Sequence, residues 1–264
     1  MVINMQNYCI IYFSPTGATK TISMKIYSFL KVKGETDIID ITKPQKRKFY
    51  ENEVICGKHL FIAAPVYAHK IPAQIKSFIE ICSLKFVKAS VIITYGNANE
   101  GYALQQIIKL LGKKRVPVVS AAVMPVRHSY QDLLDAEFIA PETDDFLSNF
   151  IEKSVVQEKQ KTFNPKVKRL TVACFVNQDF LSRVNVTAPS LGRQLCNNCK
   201  SCISVCPVAA IDGNLDVDKH KCIRCGACVK YCNKNARKLK IRLPIMRWYL
   251  EHKIPIPKEN KAYY

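Results

Sequence analysis

Over its first 130 residues the chain alternates short apolar runs with longer amphipathic ones. The runs Tyr8–Phe13, Thr36–Ile41, His59–Pro65, Ser90–Tyr95 and Pro117–Val123 read as five strands, most of them apolar on both faces. Such strands belong in a parallel sheet covered on both sides. Helical spacing marks Ala18–Val32, Ala73–Ile81 and Tyr102–Leu111, and Pro141–Gln160 reads as a last helix with an acidic first turn and a lysine-rich end. The segment from Ile41 to His59 is basic and less regular, and its pattern leaves open whether it holds a helix. This alternation predicts an α/β, doubly wound fold with a five-stranded parallel sheet.

After Lys161 the periodicity fades. Thr162–Leu195 mixes one apolar run, Leu170–Val176, with turn residues such as Asn185, Pro189 and Gly192, and reads as a connector packed on both neighbours. From Leu239 to Tyr264 basic and apolar residues alternate around Pro244, Pro255 and Pro257. Because these prolines break any long amphipathic helix, a tail wrapped on the folded body is favoured over one lying on a membrane surface. At 264 residues the chain has room for two domains. No apolar run approaches the roughly 18 residues needed to cross a bilayer, and Met1–Phe13 lacks the basic start of a signal peptide. The expectation is a soluble cytoplasmic protein with no transmembrane segment.

Eight of the twelve cysteines form two copies of one spacing: Cys196, Cys199, Cys202 and Cys206-Pro207, then Cys222, Cys225, Cys228 and Cys232. Three thiolates at such intervals wrap one [4Fe-4S] cube, and in runs of this kind the fourth cysteine ligates the other copy's cluster. Cluster I then takes Cys196, Cys199, Cys202 and Cys232, and cluster II takes Cys222, Cys225, Cys228 and Cys206. A disulfide framework does not suit a chain with no secretory segment, and a zinc site gains nothing from the third cysteine of each run. The segment Gln194–Lys238 resembles bacterial two-cluster ferredoxins. It departs from them at Asn233, where the second copy would usually carry proline, which puts only the local turn in question. Cys9, Cys56, Cys82 and Cys174 stand alone in apolar surroundings and read as small buried hydrophobes.

Between the first strand and the first helix stands Ser14-Pro15-Thr16-Gly17-Ala18-Thr19, where hydroxyls and free helix-start amides can converge on one anion. It matches neither the dinucleotide fingerprint nor the P-loop, which points to a monophosphate; an ordinary capped helix start is the plain alternative. In doubly wound sheets ligands bind at the carboxyl ends of the strands, where this loop meets Ala64–Pro72 and Thr94–Tyr102. Those loops hold aromatic, glycine and asparagine residues of the kinds a flavin ring requires.

Roughly the first 160 residues resemble flavodoxins, whose phosphate loop has the pattern Ser/Thr-x-Thr-Gly-x-Thr seen from Ser14 to Thr19. The resemblance implies that Ser14, Thr16, Gly17, Ala18 and Thr19 bind an FMN phosphate. It also implies that Pro65, Val66, Tyr67, Ala68, His69 and Lys70 on one side, and Tyr95, Gly96, Asn97 and Tyr102 on the other, flank the ring. The chain departs from flavodoxins in lacking an acidic surface and in placing His69-Lys70 by the flavin, where a cation would stabilise an anionic reduced ring. The alternative for His69 is a surface histidine at a loop tip.

Lysine and arginine number 40 against 21 acidic residues, a formal charge of +19. Two cluster cores and an FMN phosphate, each about −2, would leave roughly +13. Lys200, Lys219, Lys221, Arg224, Lys230, Lys234, Arg237, Lys238, Lys240 and Arg242 lie in or beside the cysteine runs. They can balance cluster charge, steer an acidic redox partner or, least favoured, bind nucleic acid or an anionic membrane.

Joined, the halves resemble the flavodoxin–ferredoxin fusion proteins of anaerobes and archaea. The expected organisation is an FMN-binding domain over 1–161, a connector over 162–193, a two-[4Fe-4S] domain over 194–240 and a basic tail over 241–264. The expected function is electron transfer between FMN and the clusters, converting between two-electron and one-electron carriers. Its expected partners are acidic redox proteins, ferredoxin-like or a reductase, with no nucleic acid. No Rossmann fingerprint or triad spacing is visible, and no catalytic residue is assigned. Two alternatives stand beside this: a flavin-dependent oxidoreductase acting on a quinone, oxygen or an organic acceptor, and a redox-responsive nucleic-acid-binding module. Whether the chain is an enzyme with its own substrate stays open.

Overall fold

The computed structural model describes residues 6–134, 137–138, 140–158, 176 and 178–264. Strands β1 (Gln6–Tyr12), β2 (Thr36–Asp40), β3 (Val54–Pro65), β4 (Ser83–Tyr95) and β5 (Val118–Pro125) are mutually parallel and lie in the order β2-β1-β3-β4-β5. This is the flavodoxin-like doubly wound order, whose switch point falls between β1 and β3. Successive side chains of each strand face opposite layers. Ile11, Phe13, Val91 and Ile93 pack with α3 (Ala73–Ile81) and α4 (Ala103–Lys113), while Ile10, Tyr12 and Ile92 pack with α1 (Ala18–Lys31) and α5 (Asp144–Val156). Burial on both faces is why the central runs are apolar throughout, each fully buried Ile or Phe stabilising by about 1.5–3 kcal/mol.

Strands β3 and β4 start earlier than their uniformly apolar stretches. Their first halves alternate buried and exposed residues, as in Leu84, Lys85, Phe86 and Val87, because there one face meets solvent. The basic segment after β2 does hold a helix, α2 (Pro44–Tyr50), with proline in its first turn, where a missing N–H costs nothing.

The sheet has six strands, not the five expected. The sixth, β8 (Lys261–Tyr263), pairs antiparallel with β5 in the register Ala121↔Tyr263, Ala122↔Ala262 and Val123↔Lys261. Three residues arriving from so far along the chain carry no periodicity of their own. Among the tail's prolines, Pro244 opens the short helix α9 (Pro244–Lys253), which ends before Pro255. The tail packs on the body, burying Leu250 and Ile254 beside Leu134. The Asn97 amide donates to the carbonyls of Ile254 and Ile256 at 2.7 and 2.9 Å, and Lys261 pairs with Glu100 at 3.0 Å.

The cysteine segment contains two single-turn helices, α7 (Ser201–Ser204) and α8 (Ala227–Lys230), closed by the pair β6 (Ser190–Leu191) and β7 (Arg237–Lys238). That pairing draws the end of the expected connector onto the cysteine segment. Before it lies α6 (Gln178–Asn185); the run Leu170–Val176 falls, except for Val176, outside the described residues. Among the described residues no helix is long and apolar enough to cross a membrane.

His59 sits inside the sheet, 1% exposed, and heads a chain of contacts through Ser90, Ser120 and Ser154 at 2.8, 2.7 and 2.7 Å. Burial, helped by Lys88, pushes its pKa from 6.5 down to about 3. Because the folded value is depressed, this histidine's contribution is complete above pH 6.5 and drains away as the pH falls from there toward 3. At pH 5.5 the loss is about 1.4 kcal/mol. Thermal melts of His59→Gln between pH 7.5 and 5.5 should therefore show about that much less acid sensitivity than the parent; equal sensitivity would refute the assignment.

Candidate functional site

At the carboxyl ends of the parallel strands one cavity of about 240 Å³ collects loops from both halves of the chain. After β1 it is lined by Ser14, Pro15, Thr16, Ala18 and Thr19, after β3 by Pro65, Val66, Tyr67, Ala68 and His69, and at the end of β4 and beyond by Thr94, Gly96, Ala98 and Asn99. The loop after β5 adds Val126, Arg127, His128, Ser129 and Tyr130. The opposite wall comes from Leu181, Ser182, Asn185 and Val186, from Ile223, Arg224 and Cys225, and from Met246, Tyr249 and Leu250.

The first loop is shaped as an anion cradle. Gly17, left-handed at φ 91°, precedes α1, which has no side-chain cap and no acidic residue in its first turn. Ser14 Oγ accepts from the Lys20 amide at 2.9 Å, and the Ser14 amide donates to Thr42 Oγ1 at 2.9 Å. Thr19 and Thr94 hydroxyls meet at 2.7 Å, and those of Thr16 and Ser129 at 3.4 Å. The amides of Ala18 and Thr19, in the first turn, have no intrahelical acceptor, so the positive end of α1 is left for an anion.

The loop after β3 turns on Ala68 and His69, both left-handed at φ 44° and 67°, inside a two-bond Tyr67–Lys70 hairpin of 2.8 and 3.0 Å. That geometry normally selects Asn-Gly, and holding alanine and histidine in it costs roughly 1–2 kcal/mol each. The Tyr102 amide, donating to the His69 carbonyl at 3.0 Å, helps to hold the turn. His69 thus lines the cavity, and burial lowers its pKa against an opposing hydrogen bond that the ring donates to Asn99. Lys70 does not line it; its ammonium donates to the Val176 carbonyl at 2.9 Å.

Of the residues expected around a ring, Tyr95, Asn97 and Tyr102 lie off the cavity wall, as do Gly17 of the cradle and Lys70. Asn97 is 1% exposed with its amide held by the tail, and Tyr95 is buried with Lys258 Nζ 5.6 Å from its ring. Their place is taken by the His128–Tyr130 loop and α9. Gly96 lacks a side chain because a Cβ there would collide with the His128 ring. Burial takes His128 down to about 4, keeping it neutral, and the Tyr130 amide donates to its Nδ1 at 3.1 Å. The strand-end rule that located the other loops also covers this one; α6 and α9 carry no comparable signal.

The cysteines surround two smaller cavities. Cys196, Cys199, Cys202 and Cys232 line one, and Cys206, Cys222, Cys225 and Cys228 line the other. Around them the backbone repeats itself: left-handed residues occur at Asn198, Lys200 and Ala209 and again at Arg224, Gly226 and Asn235. The amides of Ala210 and Ala236 each donate to the sulfur four residues earlier, Cys206 and Cys232, at 3.2 Å. Asn233 therefore leaves the turn of the second copy like that of the first. Arg237, 2% exposed, reaches Cys202 Sγ at 3.6 Å with its Nε unpartnered, and Arg224, 4% exposed, also has an unpartnered Nε. Such cations and amide donors suit an anionic group held among the thiols. Burial pushes the thiols of Cys225 and Cys228 up, Cys228 to about 12, and iron would remove those protons outright. Among the described residues no three His, Cys, Asp or Glu side chains converge closely enough for a single metal ion.

Residues 193–212 and 215–238 match the 4Fe-4S binding domain. Among curated proteins nothing matches. Among solved structures, the apo form of an NADH:FMN oxidoreductase is 15% identical with a TM-score of 0.44, over 60% of this chain and 92% of that one. A flavodoxin from the domain Archaea is 12% identical at a TM-score of 0.37, over 56% and 98%. A Streptococcus pneumonia flavodoxin is 12% identical at 0.39, over 57% and 96%. The strand order, not these likenesses, carries the fold assignment: the chain joins a flavodoxin-like sheet to a ferredoxin-type 4Fe-4S segment.

The two halves meet at the large cavity. Cys225 lines both it and the cavity of the second cysteine set. Around that shared wall Arg47 donates to the Pro207 carbonyl at 2.6 Å, Lys230 donates to the Thr16 carbonyl at 2.7 Å and Tyr130 donates to the Arg224 carbonyl. Gly226, at φ 79°, lies so close that a Cβ would stand 3.3 Å from the Ser129 carbonyl oxygen. Arg224 and Arg237, counted among the cations of the cysteine runs, are buried; Lys200, Lys219, Lys221, Lys230, Lys234, Lys238, Lys240 and Arg242 are exposed.

Proposed function

We propose that this chain is an electron-transfer iron–sulfur flavoprotein with FMN in the large cavity and a [4Fe-4S] cluster in each cysteine-lined one. The observation that carries the reading is Cys225, a wall of both the large cavity and the second cysteine cavity. A flavin exchanges one or two electrons whereas each cluster passes one, so the bound pair interconverts the two kinds of carrier. The cradle from Ser14 to Thr19 would hold the phosphate, and Val66, Tyr67, His69, Gly96, His128 and Tyr130 would surround the ring. Cys196, Cys199, Cys202 and Cys232 would ligate cluster I, and Cys206, Cys222, Cys225 and Cys228 cluster II. Helices α6 and α9 wall the cavity opposite the strand ends and narrow its approach, which favours exchange through the clusters over reaction with a large external donor.

Cys199 is exposed on the side of cluster I, among Asn197, Asn198 and Lys200. An acidic one-electron protein is the partner this edge suits, with attraction screened at about 10 Å in 0.1 M salt.

The test is anaerobic metal and flavin analysis of the parent and of Cys206→Ala. About eight irons, eight sulfides and one FMN are expected, with Cys206→Ala losing the cluster of Cys222, Cys225 and Cys228 selectively. Zinc, or about two irons per chain, would sink the cluster reading; absence of FMN binding would sink the flavin.

A further inference from the structure

We infer that the cysteine segment completes the anion cradle through Lys230, so that the flavin phosphate is held jointly by both halves of the chain. The inference rests on the flavin reading and goes beyond it. Lys230 stands in the last turn of α8, two residues before Cys232, yet its ammonium donates to the carbonyl of Thr16 at 2.7 Å. That carbonyl belongs to the peptide unit joining Thr16 to Gly17 in the cradle loop, so Lys230, which like Gly17 stands off the cavity wall, acts on the anion from behind the loop. An ammonium has three donors, and this contact uses one of them.

Neighbouring contacts make the arrangement a built one. The next residue, Tyr231, brings its hydroxyl to 3.0 Å from where a Cβ on Gly17 would stand. Thr16 Oγ1 meets Ser129, whose own loop is tied to the cysteine segment by Tyr130 and the Arg224 carbonyl. Arg224 itself lines the cavity, 4% exposed, with its Nε unpartnered. Among the described residues, the cations of the cradle's own half near the anion are engaged otherwise: Lys20, exposed like Lys230, meets Ser14 only through its backbone amide, and Arg127 on the cavity wall is paired with Asp132. A cation imported from the cysteine segment fills that gap.

A phosphate with a charge of about −2 should feel Lys230 in proportion to that charge, whereas a flavin without phosphate should not. The experiment is titration of reconstituted apoflavin protein, clusters intact, with FMN and with riboflavin, following flavin fluorescence. Lys230→Met should weaken FMN about fivefold to tenfold and leave riboflavin unchanged, while Lys230→Arg stays within about threefold of the parent. Lys230→Gln keeps a donor for the Thr16 carbonyl but drops the charge; it should keep its iron and show the same selective loss. FMN affinity equal to the parent's, or equal losses for FMN and riboflavin, would overturn the inference, the latter assigning Lys230 to docking alone. If the parent binds neither flavin, the flavin reading itself fails and takes this inference with it.

Discussion

Replacing Cys225 with alanine is expected to lower iron from about eight to about four per chain and to stop electrons reaching cluster I from the flavin. Among the described residues Cys225 is the one thiol that lines both the large cavity and a cysteine cavity, so its loss removes a proposed ligand and the shared wall together. Cys199→Ala makes the contrast. It also costs one cluster, but Cys199 is exposed and lines only the far cavity, so the flavin should still exchange electrons with cluster II. Photoreduction of the flavin, followed by the cluster spectra of each variant, separates the two. Electron flow from flavin to the remaining cluster of Cys225→Ala at the parent's rate would show that the route runs elsewhere.

Removing residues 254–264 should lower the melting temperature by about 5–25 °C and weaken flavin binding, although none of the deleted residues belongs to a recognised motif. Ile254 is fully buried, and losing it costs about 1.5–3 kcal/mol. Asn97 loses both acceptors of its buried amide, a further penalty of about 1–3 kcal/mol. The β5 edge is also uncovered along Ala121, Ala122 and Val123. At about 2–4 °C per kcal/mol for a domain of this size, those losses give the stated range. The loop after β4, no longer held by Lys258 and Lys261, would loosen beside the cavity. A melting temperature within about 3 °C of the parent's would show that the tail is dispensable packing.

The features legible in the chain are those written in local chemistry. Two-faced burial makes the central strands apolar throughout, so His59–Pro65 and Ser90–Tyr95 declare themselves. Wrapping a cube requires thiols a few residues apart, so the two cysteine runs are visible as spacing, and a helix start suited to an anion carries small hydroxyl residues, as from Ser14 to Thr19. What the pattern could not supply is long-range pairing. Asn97 has the chemistry of a ring contact, but the tail claims its amide, a competition that no local reading reveals. The side chains of His128 and Tyr130 join the site because β5 ends beside β4, and β8 joins the sheet because an edge was open to receive it. By itself the sequence determined which chemistry the chain carries and in which segments, since ligand spacing and burial periodicity are properties of neighbours along the backbone. Only the tertiary structure decided that Cys225 walls two cavities, that Lys230 reaches Thr16 and that the tail is part of the sheet, because contacts between distant segments depend on how whole surfaces pack.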